Sequence, residues 1–354
     1  MLVFIGTQQD GDGHGIVAAR LDPDSGAIST VGTAATVKRP TWVQADAQRS
    51  VLFSVSEVGN AGDSMAEVLS FAVDVPAGSL RLISRASSGG GGATHLALDL
   101  RGDHLFVANF GGGEAAVLPV AENGKLHQPV AIRKGYGSGP HRRQTGPHAH
   151  GVTLDLSGQW LLVPDMGADR VFIYRFDPST GALTEGEPAF AQLPPGSGPR
   201  LVLFSRDGQF AYLLTELSAE IFVYRWNPDE GQLDEIGCVG LDGDDIVENR
   251  SAAAFAMSED GRFLYASNRR TASLHVFGIN PQSGRLTEIQ QIASGGERPW
   301  SAELAPGGHW LVVANQASNN VRVFEVDIDT GILSATDEGI EVLAPTGIAF
   351  FADV

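Results

Sequence analysis

Two histidines separated by a single residue are the first side chains in the sequence that could do chemistry. His148 and His150 lie in the stretch QTGPHAHGV, after a Gly-Pro pair and before an apolar run. In a β-strand, positions i and i+2 project from the same face, so the two imidazoles would point together. A neutral imidazole can take a proton near neutral pH, but an HxH pair also occurs as structural residues in ordinary turns. The choice depends on the elements that position the pair.

A repeat of about fifty residues runs through the whole chain. A turn of the Asp/Asn-Pro-x-x-Gly kind recurs seven times, as in LDPDSGAI, FDPSTGAL and INPQSGRL. Each unit also contains a polar glycine turn followed by a strand, as in DLRGDHLFVANF. Within a unit, apolar and polar residues alternate in four short runs and show no helical period. The recurring glycines are Gly26, Gly78, Gly124, Gly181, Gly231, Gly284 and Gly331.

Four antiparallel strands per unit of this length predict the blades of a β-propeller. We therefore predict an all-β fold, a seven-bladed propeller that forms a single domain over residues 1–354. The first unit lacks its opening strand, and TGIAFFAD at the C-terminal end would pair with LVFIGT to supply it. This pairing of the N- and C-terminal strands would close the ring and remove exposed strand edges.

Polar side chains collect at one end of the predicted blades. In antiparallel strands, the start of a blade's first strand and the end of its second lie at the same edge. The turns at the opposite edge carry only ordinary turn residues. A group of histidine, arginine, glutamate and asparagine is therefore predicted at one end of the axis. Its members are Arg39, Glu57, His95, Asn109, His148, His150, Asp165, Arg200, Glu216, Arg250, Asn268, Arg269, Arg298, Asn315 and Gln316.

Composition excludes several classes of partner. The net charge of −18 argues against a nucleic acid or an anionic membrane, because no phosphate-neutralising surface is available. No apolar run is long enough to span a membrane, and the first residues lack the basic start of a secretory leader. The one cysteine, Cys238, cannot form an internal disulfide, so a cytoplasmic location is predicted. The oligomeric state expected is a monomer or a weak homo-oligomer.

Several motifs together resemble one enzyme family. RRQTGPHAHGV, GPRLVLF, TEL, DGRFLYASNR and ANFGGG are similar to segments of the lactonase-type seven-bladed propellers, the family of bacterial 6-phosphogluconolactonase and fungal 3-carboxy-cis,cis-muconate lactonizing enzyme. The similarity extends over essentially the whole chain. It implies a small anionic lactone as substrate, a place in carbohydrate metabolism through the pentose phosphate pathway, and no cofactor.

The resemblance also implies which residues act. In this family, the active site combines the histidine motif, the Gly-Pro-Arg arginine, the glutamate that ends the next strand, and the arginine of Ser-Asn-Arg. These positions correspond to the catalytic candidates His148, Arg200, Glu216 and Arg269. Neighbouring polar residues are expected to bind substrate: His150, Arg143, Gln144, Asn268, Asn109, Asp165 and Gln316.

The sequence departs from the family pattern near the site. Leu201 follows Gly-Pro-Arg where the family often has histidine, and Arg270 follows Ser-Asn-Arg where glycine is frequent. The Pro-Arg pair of the sixth blade is inverted as Arg298-Pro299. The four catalytic candidates are retained, so these changes bear on the identity of the substrate.

Lactone hydrolysis without a metal ion is the leading hypothesis, with 6-phosphogluconolactone as the expected substrate. Glu216 or a neutral histidine would deprotonate water, and the arginines would bind the anion and the developing oxyanion. The alternatives are a carboxymuconate cycloisomerase, which needs the same residue types, and a non-catalytic binding propeller. A calcium site built from Glu57, Asn109, Asp165 and Asn268 is disfavoured by the nearby arginines.

Overall fold

The computed structural model describes residues 1–10, 15–243 and 248–352, and its regular elements are β-strands. Within these ranges, twenty-eight strands form seven four-stranded antiparallel sheets. The sheets are numbered 1 to 7 in the order in which their two middle strands occur in the chain. No described helix is long and apolar enough to cross a membrane.

Sheets 2 to 7 are each formed by four strands that are consecutive in the chain, whereas sheet 1 combines β28 with the first three strands. Sheets 1 to 4 consist of the following strands: in sheet 1, β1 (Leu2–Thr7), β2 (Gly15–Leu21), β3 (Ile28–Thr36) and β28 (Pro345–Phe351); in sheet 2, β4 (Val43–Asp46), β5 (Val51–Ser56), β6 (Glu67–Asp74) and β7 (Ser79–Ser87); in sheet 3, β8 (Ala93–Leu98), β9 (His104–Asn109), β10 (Glu114–Pro119) and β11 (Ala131–Lys134); in sheet 4, β12 (Thr153–Leu154), β13 (Trp160–Asp165), β14 (Arg170–Asp177) and β15 (Ala182–Gln192). Sheets 5 to 7 consist of the following strands: in sheet 5, β16 (Pro199–Phe204), β17 (Phe210–Thr215), β18 (Glu220–Asn227) and β19 (Gln232–Gly240); in sheet 6, β20 (Ala252–Met257), β21 (Phe263–Asn268), β22 (Ser273–Ile279) and β23 (Leu286–Ala293); in sheet 7, β24 (Pro299–Leu304), β25 (Trp310–Asn315), β26 (Asn320–Val326) and β27 (Leu333–Glu341).

The predicted pairing of the two chain ends is confirmed. β28 pairs antiparallel with β1, with Leu2 opposite Phe351 and Ile5 opposite Ile348. The order β28-β1-β2-β3 completes the first sheet with four strands. The predicted fold class, seven four-stranded antiparallel blades, is therefore confirmed.

The described residues group into two compact units. The first contains Met1–Ser54, Phe71–Leu82 and Ser251–Val354, and the second contains Val55–Ser70 and Ile83–Arg250. The single domain over residues 1–354 stays a prediction.

Apolar residues from neighbouring sheets form the core of each unit. In the second unit, Phe106 and Ala108 of β9 pack with Leu161 and Val163 of β13. The second strands of the sheets are buried along their whole length, as β9, β13 and β17 show. Strands buried on both faces explain the continuous apolar runs of the sequence, such as WLLV and AYLL.

At several of the repeated turns, glycine is required by a close contact with an aromatic ring. Gly231 has a φ of 64°, and a Cβ placed on it would lie 2.6 Å from the Trp160 ring. The Trp160 indole nitrogen donates to Pro228 O at 2.7 Å. Gly26 packs in the same way on Trp310, whose indole donates to Pro23 O. Glycine is needed here because the backbone is left-handed and a side chain would collide with the ring.

Candidate functional site

The histidine pair lies just before a strand and is held by a local β-bridge. The first strand of sheet 4, β12, contains only two residues, and Ala149 forms an isolated bridge with Asp165. His150 N donates to Pro164 O, and Met166 N donates to His148 O, each at 2.9 Å. The expectation that both histidines lie in a strand was therefore wrong, because β12 begins only at Thr153. The bridge nevertheless gives both side chains one orientation, and both imidazoles contact the Phe110 ring.

Phe110 orients the His148 imidazole. The two rings are stacked, with centroids 4.5 Å apart and an interplanar angle of 14°. His148 Nδ1 lies 2.7 Å from Phe110 O. A carbonyl oxygen can only accept a hydrogen bond, so Nδ1 carries the proton and Nε2 is the position that can exchange one. Half-burial of His148 leaves this edge of the ring available to a ligand.

Glu216 is the centre of a buried ionic cluster. It follows β17, and its side chain is 2% exposed. Its Oε2 lies 2.5 Å from Arg200 Nη1, and its Oε1 lies 2.5 Å from Arg143 Nη1. His150 Nε2 is 3.5 Å from the Arg200-bound oxygen. One carboxylate is thus shared by two guanidinium groups, one from the loop that carries Arg143 and one from the start of β16.

His150 is neutral in this cluster. Arg200 Nη1 donates to His150 Nε2, so this nitrogen presents a lone pair and not a proton. Burial lowers the pKa of His150 to about 4, and the adjacent Arg200 charge acts in the same direction, against a smaller raising effect of Glu216. The pKa of buried His95 is lowered to about 3, mainly by burial and then by its neighbours His150 and Arg200. Both imidazoles are therefore uncharged at neutral pH.

Asp165 positions the backbone that carries the histidines. Its Oδ1 accepts from the backbone nitrogens of His148 at 2.8 Å and of Gly167 and Ala168 at 2.9 Å. The carboxyl group is fully buried, and burial raises its pKa to about 6 despite these three hydrogen bonds. In this structure, Asp165 holds the loop rather than presenting itself to solvent.

Gln144 and Asp169 connect the loop that carries Arg143 to the segment that leads into β16 and Arg200. Gln144 Nε2 donates to Met166 O at 2.8 Å and to Asp169 Oδ1 at 2.6 Å. Asp169 also accepts from Gly198 N on Oδ1 and from Gly196 N on Oδ2. Arg143 precedes Gln144, and Arg200 follows Gly198 by two residues. The Asp169 carboxylate therefore fixes the Arg143 loop relative to the segment that precedes β16.

Asn109 is fully buried and bound to the backbone. Its Nδ2 donates to Ser88 O at 3.0 Å, and Asn315 makes the same bond to Ser294 O in sheet 7. This shared contact identifies a feature of the repeat. Binding of substrate by Asn109 stays a prediction.

Three predicted site residues belong to the first unit. Arg269 is 7% exposed, and its Nε donates to Ser251 Oγ at 3.0 Å, while its guanidinium lies 4.7 Å from the centre of the Trp300 ring. Asn268 Oδ1 accepts from Arg270 N at 2.9 Å, and Gln316 Nε2 donates to Gln8 Oε1 at 2.9 Å. The catalytic role of Arg269 and substrate binding by the other two stay predictions.

Phe110 and Asp169 are the functional neighbours that sequence reasoning missed. Phe110 follows a strand end that was singled out only for Asn109, and nothing in the sequence shows that its carbonyl meets His148. Asp169 lies in a turn of sheet 4 and has a φ of 53°. The equivalent turn positions in sheets 5 and 6 are Ala219 and Ala272, which also have positive φ. An aspartate where the repeat tolerates alanine is the signal that could have identified it.

Across the described ranges, no three histidine, cysteine, aspartate or glutamate side chains come together in an arrangement suited to a metal ion. Seven consecutive four-stranded antiparallel sheets define the class as a β-propeller. The chain matches the family described as "Lactonase, 7-bladed beta-propeller" over residues 2–350, and it belongs to that family.

Its relatives include named sugar lactonases. The chain is 31% identical over 352 residues to the 6-phosphogluconolactonase of Bacillus subtilis (strain 168), covering 99% of this chain and 98% of that protein. It is similar to the structure of the periplasmic gluconolactonase of Pseudomonas aeruginosa, with a TM-score of 0.93, 34% identity and 99% coverage of each chain. A protein from Lactobacillus plantarum has a TM-score of 0.91 and 29% identity, again with 99% coverage of each chain. These comparisons support an ester-hydrolysing enzyme of the sugar lactonase type.

Proposed function

We propose that this protein hydrolyses an acidic sugar lactone, with 6-phosphogluconolactone as the expected substrate, and that it needs no metal ion. The family match and the 31% identical 6-phosphogluconolactonase support the reaction class. The observation that carries the chemistry is a half-buried histidine with a fixed tautomer, His148, in the same unit as a buried arginine-glutamate cluster. A cytoplasmic location and a monomeric or weakly oligomeric state complete the proposal.

His148 is the group we assign to water activation. Its Nδ1–H is held by Phe110 O, so Nε2 can take a proton from water as the water oxygen attacks the lactone carbonyl carbon. Glu216 is less suited to this step, because each of its oxygens is engaged by a guanidinium group.

The arginines supply positive charge for the remaining steps. Attack forms a carbon–oxygen bond to water and moves the carbonyl electrons onto oxygen, where a guanidinium stabilises the oxyanion. The bond to the ring oxygen then breaks, and that oxygen receives the proton held by His148. The product is an open-chain hydroxy acid. Arg143, whose side chain is 42% exposed, can exchange its contact with Glu216 for the anionic group of the substrate.

A lactone panel tests the proposal. Ring opening of 6-phosphogluconolactone, gluconolactone and carboxymuconolactone is measured with and without EDTA and corrected for spontaneous hydrolysis. We expect the phosphorylated lactone to react fastest and EDTA to have no effect. Turnover of carboxymuconolactone alone would instead identify a cycloisomerase, and no turnover of any lactone would identify a binding protein.

His148→Gln tests the assigned base. General base catalysis contributes about 10²–10⁴-fold, so kcat should fall by at least about a hundredfold. His127→Gln, at an exposed turn histidine, is the matched control and should keep wild-type activity. A wild-type rate for His148→Gln would show that the proton goes elsewhere.

A further inference from the structure

A cleft of about 550 Å³ adjoins the site in the second unit, and His148 forms part of its wall. The described reaction needs no group in this cleft except that histidine. Glycines make up seven of its sixteen lining residues. The lining residues are 61–65, 89–91, Gly111, Gly112, Glu114, Lys134 and 145–148.

Sheets 3 and 7 differ in the side chains they carry at this place in the repeat. Sheets 3 and 7 share the same local frame, because Ser88 Oγ donates to Gly90 O as Ser294 Oγ donates to Gly296 O. Asn109 and Asn315 then anchor the two frames identically. Among the glycines that line the cleft, three in sheet 3 lie where sheet 7 has a side chain. The pairs are Gly91 with Glu297, Gly111 with Ala317, and Gly112 with Ser318.

Because residue 112 is glycine, Glu114 has no equivalent of the serine that bonds Asn320 in sheet 7. In sheet 7, Ser318 Oγ donates to Oδ1 of Asn320, the residue equivalent to Glu114, at 3.1 Å. In sheet 3, a Cβ on Gly112 would lie 2.1 Å from Glu114 Oε2, so the carboxylate occupies the space of the missing serine. Glu114 Oε1 lies 3.3 Å from exposed Lys134 Nζ, whereas the buried Oε2 accepts no hydrogen bond from any described residue.

Burying a carboxylate oxygen without a hydrogen-bond donor costs free energy. A ligand that donates a hydrogen bond to this oxygen removes that cost and is bound more tightly. The charged groups of the lining are Asp63, Glu114 and Lys134, with His148 at the edge. Their balance is negative, so a phosphate or carboxylate is disfavoured. Hydroxyl groups suit this wall, since they can donate to Glu114 and exchange bonds with the backbone of the glycine segments.

We propose that this cleft is the subsite for the hydroxyl-bearing part of the lactone, and that the Glu114 carboxylate turns Oε2 toward the cleft to accept a substrate hydroxyl. This inference rests on the proposed function and deepens it. The reacting carbonyl lies at His148, the anionic group is bound by arginine, and the polyhydroxylated carbons occupy the glycine-lined space. Glu114 thereby selects sugar lactones over lactones without hydroxyls.

Two substrates that differ only in hydroxyl content test the subsite. We compare kcat/KM for glucono-δ-lactone and δ-valerolactone in the wild type, in Glu114→Gln and in Gly112→Ser. If the wild type opens valerolactone too slowly, its inhibition constant against gluconolactone replaces the rate. Gly112 has no left-handed φ, so serine is compatible with the backbone once the Glu114 carboxylate swings toward Lys134.

Loss of one hydrogen bond to a charged acceptor corresponds to roughly ten- to hundredfold. We expect that loss for gluconolactone in both variants and less than twofold change for valerolactone. Ser318→Gly, the reverse change in sheet 7, is the matched control and should alter neither value. Equal losses for both lactones, or no loss for gluconolactone, would overturn the subsite while leaving the lactonase intact. If the wild type opens no lactone, the proposed function fails and the subsite fails with it.

Discussion

Glu216 is bound by two arginines that differ in exposure. We expect the buried arginine to contribute mainly to stability and the exposed one mainly to substrate binding. The Arg200 side chain is 4% exposed and its pair with Glu216 is buried, whereas the Arg143 side chain is 42% exposed. A buried pair that loses one member leaves an uncompensated charge, while an exposed partner contributes little to stability.

We therefore predict that Arg200→Met lowers the free energy of unfolding by about 3 kcal/mol and that Arg143→Ala lowers it by less than about 1 kcal/mol. Urea denaturation at pH 7 measures both. Arg143→Ala should still raise KM for the anionic lactone, because it removes an exposed cation that can bind the substrate anion. Equal stability losses in the two variants would contradict the distinction.

The buried histidines make stability depend on pH. The pKa of His95 is about 3 in the folded protein, below its usual value near 6.5, so between these values the unfolded chain binds a proton that the folded chain does not. The resulting stability is fully present above about pH 6.5 and is lost as the pH falls toward 3.

In His95→Asn this titration is removed. We predict that the wild type loses on the order of 2 kcal/mol more than the variant between pH 7 and pH 5. Denaturation midpoints at the two pH values provide the measurement. Parallel losses in both proteins would mean that His95 is not buried as a neutral group.

At the scale of elements, the site depends on the turn between β13 and β14. Asp169 in this turn accepts from Gln144 Nε2, Gly196 N and Gly198 N, and so links three chain segments. Neither the short strand β12 nor the isolated bridge at Ala149 could fix these loops without such a link.

We predict that Asp169→Ala costs about 3 kcal/mol of unfolding free energy, because three donors lose their acceptor and two of these hydrogen bonds are buried. It should also lower kcat/KM by at least about tenfold, because the Arg143 loop and the segment that leads into Arg200 are no longer held together. Hydrogen exchange at the amides of Gly196 and Gly198 should accelerate, and Asp169→Asn should restore part of the protection. Unchanged exchange at both glycines would exclude the link.

The elements that repeat could be predicted from the sequence, whereas the contacts that occur only once could not. Seven turn glycines predicted the seven sheets, and the unpaired run TGIAFFAD predicted the partner of β1. The cluster of Glu216 with Arg200 and His150 followed from strand order plus the family resemblance. The Asp169 link and the Phe110 carbonyl were not predictable, since each depends on a loop contact that has no period and no motif.

For the whole molecule, the pairing of β28 with β1 is the contact that joins the two ends of the chain within the first unit. Phe351 is 2% exposed and meets Phe4 edge to face, with ring centroids 5.7 Å apart. These two strands are separated by nearly the full sequence. Their pairing therefore closes a very long loop and forms only when the intervening chain is in place.

We predict that Phe351→Ala lowers the free energy of unfolding by about 3–5 kcal/mol, because it leaves a large cavity beside Phe4. Leu343→Ala, at a side chain that is 49% exposed in the same part of the chain, should cost less than about 1 kcal/mol. The weakened end pairing should also expose the edge of β1, so the variant should self-associate on size-exclusion chromatography as the temperature rises. If the two variants have equal melting temperatures and both remain monodisperse, the packing of Phe351 does not stabilise the pairing of β28 with β1.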